Sequence, residues 1–200
     1  MKGLLPWFMD LEKRCDQLIE WTEEMHRPFC VWLPGLFNPT AYITAAMQCT
    51  ARTAGLPLDK MTTETHMTMW SGKEEVDHHP PGGGFVCGLF IEGARWPQKD
   101  EVDEQYDVSG EPCGGHIMDS KLKDLLPLLP VVYVRAVQVQ PTWEPSSVGY
   151  LRHDPETYEA PIYITQFRGP TYVELATLHT KDPCSKWTLA AVAVMFQSAD

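Results

Sequence analysis

Basic side chains are scarce in this chain. Sixteen lysines and arginines face 27 aspartates and glutamates, a formal net charge of −11. Nucleic-acid phosphates need neutralisation by Lys and Arg, so this balance excludes a nucleic acid as the natural partner. It also argues against direct docking of the whole domain on a strongly acidic polymer surface. Long apolar runs are missing too. No stretch approaches the length of a membrane span, and the start has no basic segment followed by an apolar one. The expectation is a soluble, intracellular chain without a membrane partner. The six cysteines, at positions 15, 30, 49, 87, 113 and 184, contain no CxxC pair and follow no regular spacing. Free buried thiols are expected rather than a disulfide framework. A phosphate loop is also lacking. Gly82-Gly83-Gly84 is not followed by Lys-Ser/Thr or by a helix that would present amides to phosphate, so it reads as a turn.

What is present suits a sizeable core. The chain has 200 residues and 44% apolar content, enough for one large domain or two small ones. Fourteen glycines and 17 prolines point to many turns. Near the start, Phe8, Leu11, Cys15 and Leu18 recur at helical spacing, with Glu12, Lys13, Arg14, Asp16 and Gln17 as the wet face. This helix should end before Arg27-Pro28. Asn38-Pro39 is a helix start signal, and Gly55 followed by Pro57 a stop. Between them Tyr42, Ile43, Ala46, Met47, Thr50 and Ala54 form one face. From about Lys60 the period changes to alternation. Strands are expected at 61–69, 84–92, 130–139, 160–166, 171–178 and 189–197, with an acidic loop near 98–111 and a short helix from Asp119 to Leu126. The pattern is α+β: a helical part over 1–59 and a β part over 60–200. The strands alone leave an antiparallel barrel or sandwich open.

Residues that could carry chemistry each have a plainer reading. His78, His79, Cys87, Cys113 and His116 could gather a zinc ion, but no second paired half-site exists, and solvated loop histidines with a buried thiol are favoured. Cys184 lies near His179, yet five residues of strand or turn do not bring a base usefully onto a nucleophile. Asp100 to Glu111 holds six carboxylates without the alternation and central glycine of a calcium loop, so it reads as a solvated segment. No catalytic, cofactor-binding or metal residue is assigned.

The segment Gly88 to Trp96, Gly-Leu-Phe-Ile-Glu-Gly-Ala-Arg-Trp, is more specific than generic core. Glycine in a strand marks a bulge or a close approach. Glu92 and Arg95, beside Trp96, are expected to pair as an internal clamp, with an interaction surface as the other reading. This segment resembles the "GLFLEGARWD" signature of the C-terminal domain of dynein heavy chains. Further blocks resemble that family in the same order: Val31 to Pro39, Leu125 to Val134, Tyr158 to Tyr163, Arg168 to Val173 (similar to axonemal members), and Lys181 to Trp187 followed by Leu189 to Gln197. Together they span about residue 4 to residue 197.

The resemblance implies an α-helical portion packed on a small antiparallel β-barrel. It implies a regulatory and structural role on the AAA+ motor ring of the same heavy chain, with no catalysis in this domain. ATP and magnesium would belong to upstream AAA+ modules. Other dynein subunits would be partners, microtubules would be met only through the parent motor, and the place would be the cytoskeleton, in a ciliary or flagellar axoneme. Heavy chains are many times longer, so the chain is expected to be a piece of one or a truncated product. Trp7, Phe8 and Trp21 on the first helix are the candidate ring contacts, an assignment that full burial of Trp7 and Trp21 would overturn. The structural signature is Gly88, Glu92, Gly93, Arg95 and Trp96. Four positions depart from the family: Pro97 where aspartate is usual, Ala160 for cysteine, Ile164 for lysine, and Ala191 where glycine is frequent. Of these, Pro97 is expected to be the one that alters backbone options. A stand-alone module binding a light chain or docking factor is the alternative, and an enzyme the third.

Overall fold

Asn38 starts a helix for a visible reason. In the computed structural model its Oδ1 accepts the Ala41 amide at 3.0 Å, and Pro39 fills the first helical position, where no amide partner is needed. The helix ends at Gly55, left-handed at φ 67°, whose amide closes on the Ala51 and Arg52 carbonyls. The structure describes residues 3–23, 27–97, 115–120, 128–139, 156–165 and 167–197. The acidic loop and nearly all of the expected helix from Asp119 lie outside them.

In chain order the elements are α1 (Leu4–Glu23), β1 (Cys30–Trp32), a 3-10 turn (Leu33–Gly35), α2 (Pro39–Ala54), β2 (Met61–Met67), β3 (Gly84–Cys87), β4 (Leu89–Glu92), β5 (Val132–Gln138), β6 (Thr157–Tyr163), β7 (Leu175–His179), α3 (Cys184–Leu189) and β8 (Ala193–Phe196). The strands form two four-stranded sheets, ordered β1-β3-β5-β2 and β4-β8-β6-β7. Each contains one parallel pair, β1 with β3 and β6 with β8. The α+β class therefore stands, but the sheets are mixed and neither closes into a barrel.

One seam shows why. Strands β2 and β7 run side by side, yet a threonine stands between their backbones. Thr65 Oγ1 donates to the Leu175 carbonyl at 3.1 Å and accepts the Thr177 amide at 2.6 Å. A buried side chain thus satisfies the groups that a ladder would otherwise pair. At a second junction the backbone itself crosses between sheets. The strand expected over 84–92 is two strands, β3 in one sheet and β4 in the other, broken at Gly88. This glycine has φ 85°, and a Cβ there would run into the Trp32 indole.

A shared core fills the space between the sheets. Ile43 of α2, Val86 of β3, Ile91 of β4, Val132 of β5, Leu178 of β7 and Val194 of β8 all belong to it. Trp96 and the fully buried Trp187 extend it, and Trp187 Nε1 donates to Thr180 Oγ1 at 2.6 Å. The turn at Gly82-Gly83-Gly84 is laced into the body. Tyr133 Oη donates to the Gly82 carbonyl, Thr50 Oγ1 accepts the Gly83 amide, and Arg27 donates to the Gly83 carbonyl. Two elements escaped the sequence reading: the edge strand β1, only three residues long, and α3, where a turn and then a strand were expected.

Candidate functional site

Helix α1 is amphipathic, and its orientation is the reverse of a core helix. Leu4, Trp7, Phe8, Leu11, Cys15, Leu18 and Ile19 fall on one strip about a third of the way round the helix. A core-packing helix would turn that strip inward. Here Leu4 is 83%, Trp7 54% and Phe8 56% exposed, and Leu18 and Ile19 are exposed as well. The residue that α1 buries is Gln17, at 9% exposure. The wet-face assignment of Gln17 is therefore corrected.

Gln17 clamps the backbone of Trp32 from both sides. Its Oε1 accepts the Trp32 amide at 2.8 Å, and its Nε2 donates to the Trp32 carbonyl at 3.2 Å. A side-chain amide, having one acceptor and two donors, suits this double contact. The Lys13 ammonium sits 4.3 Å above the Trp32 ring, and the Arg14 guanidinium lies 5.6 Å away. Arg14 Nε also pairs with Asp10 at 2.9 Å. The helix is thus bolted down by its polar edge, and its apolar strip is held outward in one orientation. Among the described residues of that strip Leu11 is half-buried and the others stay exposed.

The three candidate interface residues separate. Trp7 and Phe8 stand together on the open strip. Trp21 lies on the inner flank, half-buried, its ring 6.2 Å from that of Tyr42. Burial pushes the Tyr42 phenol up to about 12, a nearby Arg27 partly opposing it.

The signature segment is built differently from the expected clamp. Glu92 does not pair with Arg95. Its Oε2 accepts Arg168 Nη2 at 3.0 Å, while Arg168 Nη1 donates to the Ala191 carbonyl at 2.7 Å. The strand ends at Glu92, and the backbone turns at Gly93, φ 83°, where a Cβ would press on the Ala190 carbonyl. The two side chains therefore leave the backbone in different directions. Glu92 is exposed, and Arg95 is buried at 7% exposure. The Arg95 backbone exchanges hydrogen bonds with Met118 at 2.9 and 3.0 Å. Trp96 and Pro97 are buried beside it.

Ala191 is a third correction. It adopts φ 53°, the left-handed region, so this departure alters the backbone's options more than its small size suggested. The cysteines are a fourth. Cys30 is buried, but Cys15 and Cys49 are exposed, and Cys87 and Cys184 half-buried. Among the described residues no group of three or more His, Cys, Asp or Glu is arranged to hold a metal ion, and no helix is long and apolar enough to cross a membrane.

Gln17 and Arg168 are the residues that sequence reasoning missed. A lone glutamine on a helix carries no signal. Arg168 did carry one, as the first residue of a recognisable block, but its partner sits 76 positions away. An exposed cluster was also missed: Ile164, Phe167 (92% exposed) and Tyr172 surround a groove of about 280 Å³.

A family model, that of the C-terminal domain of the dynein heavy chain, matches residues 1–196. The protein belongs to that family. It is 39% identical over 98% of its length to dynein axonemal heavy chain 17 of Mus musculus, and 38% identical over 98% to the ciliary dynein beta chain of Tripneustes gratilla. It is 39% identical over 97% to the flagellar outer arm dynein alpha chain of Chlamydomonas reinhardtii. The sequence spans about 4% of the length of each of these curated relatives. Within this dynein domain, Glu92 of the signature segment thus pairs with Arg168 of the block resembling axonemal members, so two family blocks meet in one ion pair.

Proposed function

We propose that this domain packs on the AAA+ motor ring of a dynein heavy chain through the open face of α1, and modulates the microtubule motor without nucleotide chemistry of its own. The observation that carries the reading is the apolar strip of α1, held in a fixed orientation and largely exposed among the described residues. Apolar side chains in such numbers on one exposed face are characteristic of an interface. Intramolecular domain contacts of this kind are mixed rather than wholly apolar, and Lys13 and Arg14 beside the strip supply the polar margin. Trp7 and Phe8 would provide the aromatic anchors. Trp21 would support the helix from behind.

The named relatives are axonemal, ciliary and flagellar dyneins, so an axoneme is the proposed place of action, with ATP and magnesium in the AAA+ modules. The net charge of −11 fits a domain that meets its own motor and reaches an acidic filament only through it. The test is a titration of the 200-residue chain against a purified AAA+ ring of an axonemal dynein heavy chain lacking this domain. Saturable binding is expected, with no heat from ATP and magnesium added to the 200-residue chain alone. Tight nucleotide binding by the 200 residues, or no association with the ring, overturns the reading.

A further inference from the structure

Two cysteines stand apart from the docking face. Cys30 on β1 and Cys87 on β3 lie on neighbouring parallel strands. The register sets Cys30 opposite Phe85 and Trp32 opposite Cys87, which puts all four side chains on one face of the sheet. The two thiols are diagonal neighbours in one small cluster with Phe85 and Val131. Cys87 packs against the cluster that holds Cys30. The neighbouring Cys87 and burial push the Cys30 thiol up, while the neighbouring Cys30 draws Cys87 below the ordinary thiol range, with Lys73 and Lys13 helping and burial and Glu74 opposing. Cys30 is buried and Cys87 half-buried, so Cys87 is the sulfur that a small molecule can reach. Cys87 opens onto a groove of about 390 Å³ lined by Lys13, Gln17, Trp32, Lys73 and Leu129.

We propose that Cys30 and Cys87 form a redox-responsive dithiol, in which a hydroperoxide entering this groove oxidises Cys87 and Cys30 then closes a disulfide between β1 and β3. In the first step the Cys87 sulfur attacks the peroxide, the O–O bond breaks, and a sulfenic acid forms as water or an alcohol leaves. In the second the Cys30 sulfur attacks the Cys87 sulfur, an S–S bond replaces the S–O bond, and water departs with the Cys30 proton. Two thiols lose two electrons and the hydroperoxide gains them.

Diagonal positions in a sheet stand farther apart than a relaxed disulfide prefers, so closing the bond draws β1 towards β3. A three-residue edge strand can make that movement. The resulting strain keeps the bond reducible, as a reversible switch in a reducing compartment requires. Trp32, at the end of β1, is the residue that Gln17 grips, so the movement reaches the seat of α1. The inference stands apart from ring docking, because its readouts need only the 200-residue chain.

The test treats the reduced protein with hydrogen peroxide, blocks remaining thiols with iodoacetamide, and reads intact mass and peptide maps. The expected product carries two fewer carbamidomethyl groups than the reduced control and is lighter by a further two hydrogens, joins the Cys30 and Cys87 peptides, is reversed by dithiothreitol, and shows changed hydrogen exchange in α1. In Cys30→Ser the disulfide is lost and dimedone traps a sulfenic acid on Cys87. On the unsubstituted protein, limiting iodoacetamide alkylates Cys87 before the exposed Cys15 and Cys49, a readout that needs no variant to fold. Oxidation of any other cysteine before Cys87, or a Cys30→Ser variant that traps no sulfenic acid there, overturns the proposal. A disulfide that leaves α1 exchange unchanged overturns its link to the helix.

Discussion

Helix α1 and the Gly88 to Trp96 segment both break a local rule, and they resolve it in opposite ways. The signature segment carries glycines and charges where a strand wants neither, and its two glycines and its carboxylate are answered inside the domain. Gly88 makes room for Trp32 where the backbone passes from one sheet to the other, Gly93 makes the turn, and Arg168 holds Glu92. Helix α1 carries apolar residues on an outer strip, and among the described residues Leu4, Trp7, Phe8, Leu18 and Ile19 stay exposed. It grips the helix through one glutamine instead. Rule-breaking answered internally is architecture. Rule-breaking left open is the ground on which the docking face is proposed.

That contrast can be broken in order of size. Gly88→Val forces a branched side chain into a left-handed backbone and against the Trp32 ring. A loss of about 3 kcal/mol or more is expected, read as a large drop in the urea midpoint. Gln17→Leu keeps the volume but strands the buried Trp32 amide and carbonyl. It should cost about 2 kcal/mol and raise hydrogen exchange in α1 more than in β4. If instead exchange rises equally everywhere, the helix is not separately seated.

Ala191→Gly should stabilise by about 1 kcal/mol by removing a Cβ from a left-handed position, with the Arg168 contact to the carbonyl retained. The smallest effect is a pH dependence. Tyr42 is raised to about 12 in the folded state against 10 for the free phenol. A raised value means that the folded state keeps the proton longer. The stability tied to it is fully present below pH 10 and falls as pH rises towards 12. Tyr42→Phe should show a shallower loss of urea midpoint across that window, and equal slopes would contradict the burial argument.

The sequence made the local devices plain and hid the long-range ones. The α2 caps were legible because Asn38, Pro39 and Gly55 act within one turn. The alternation of β2 was legible for the same reason. The open seam was not, since nothing in a threonine-rich strand says that Thr65 bonds a backbone 110 residues on. The break at Gly88 was masked by a continuous apolar run, because both β3 and β4 are buried. Helix α3 was hidden by its short length. On the site, the helical spacing of Phe8, Leu11, Cys15 and Leu18 made one face of α1 legible, whereas the grip of Gln17 depends on a fold that places Trp32 beside it. The expected Glu92–Arg95 clamp failed on direction: the strand ends at Glu92, and the turn at Gly93 sends the arginine inward.

The central claim is that the face of α1 serves binding and not the domain's own stability. The measurement that tests it most directly is a Trp7→Glu, Phe8→Glu double variant of the 200-residue protein, with the urea midpoint and the affinity for the AAA+ ring taken on the same preparation. Folding stability should change by no more than about 0.5 kcal/mol, and ring binding should be lost. Unfolding of the variant, or ring binding at full strength, would contradict the claim.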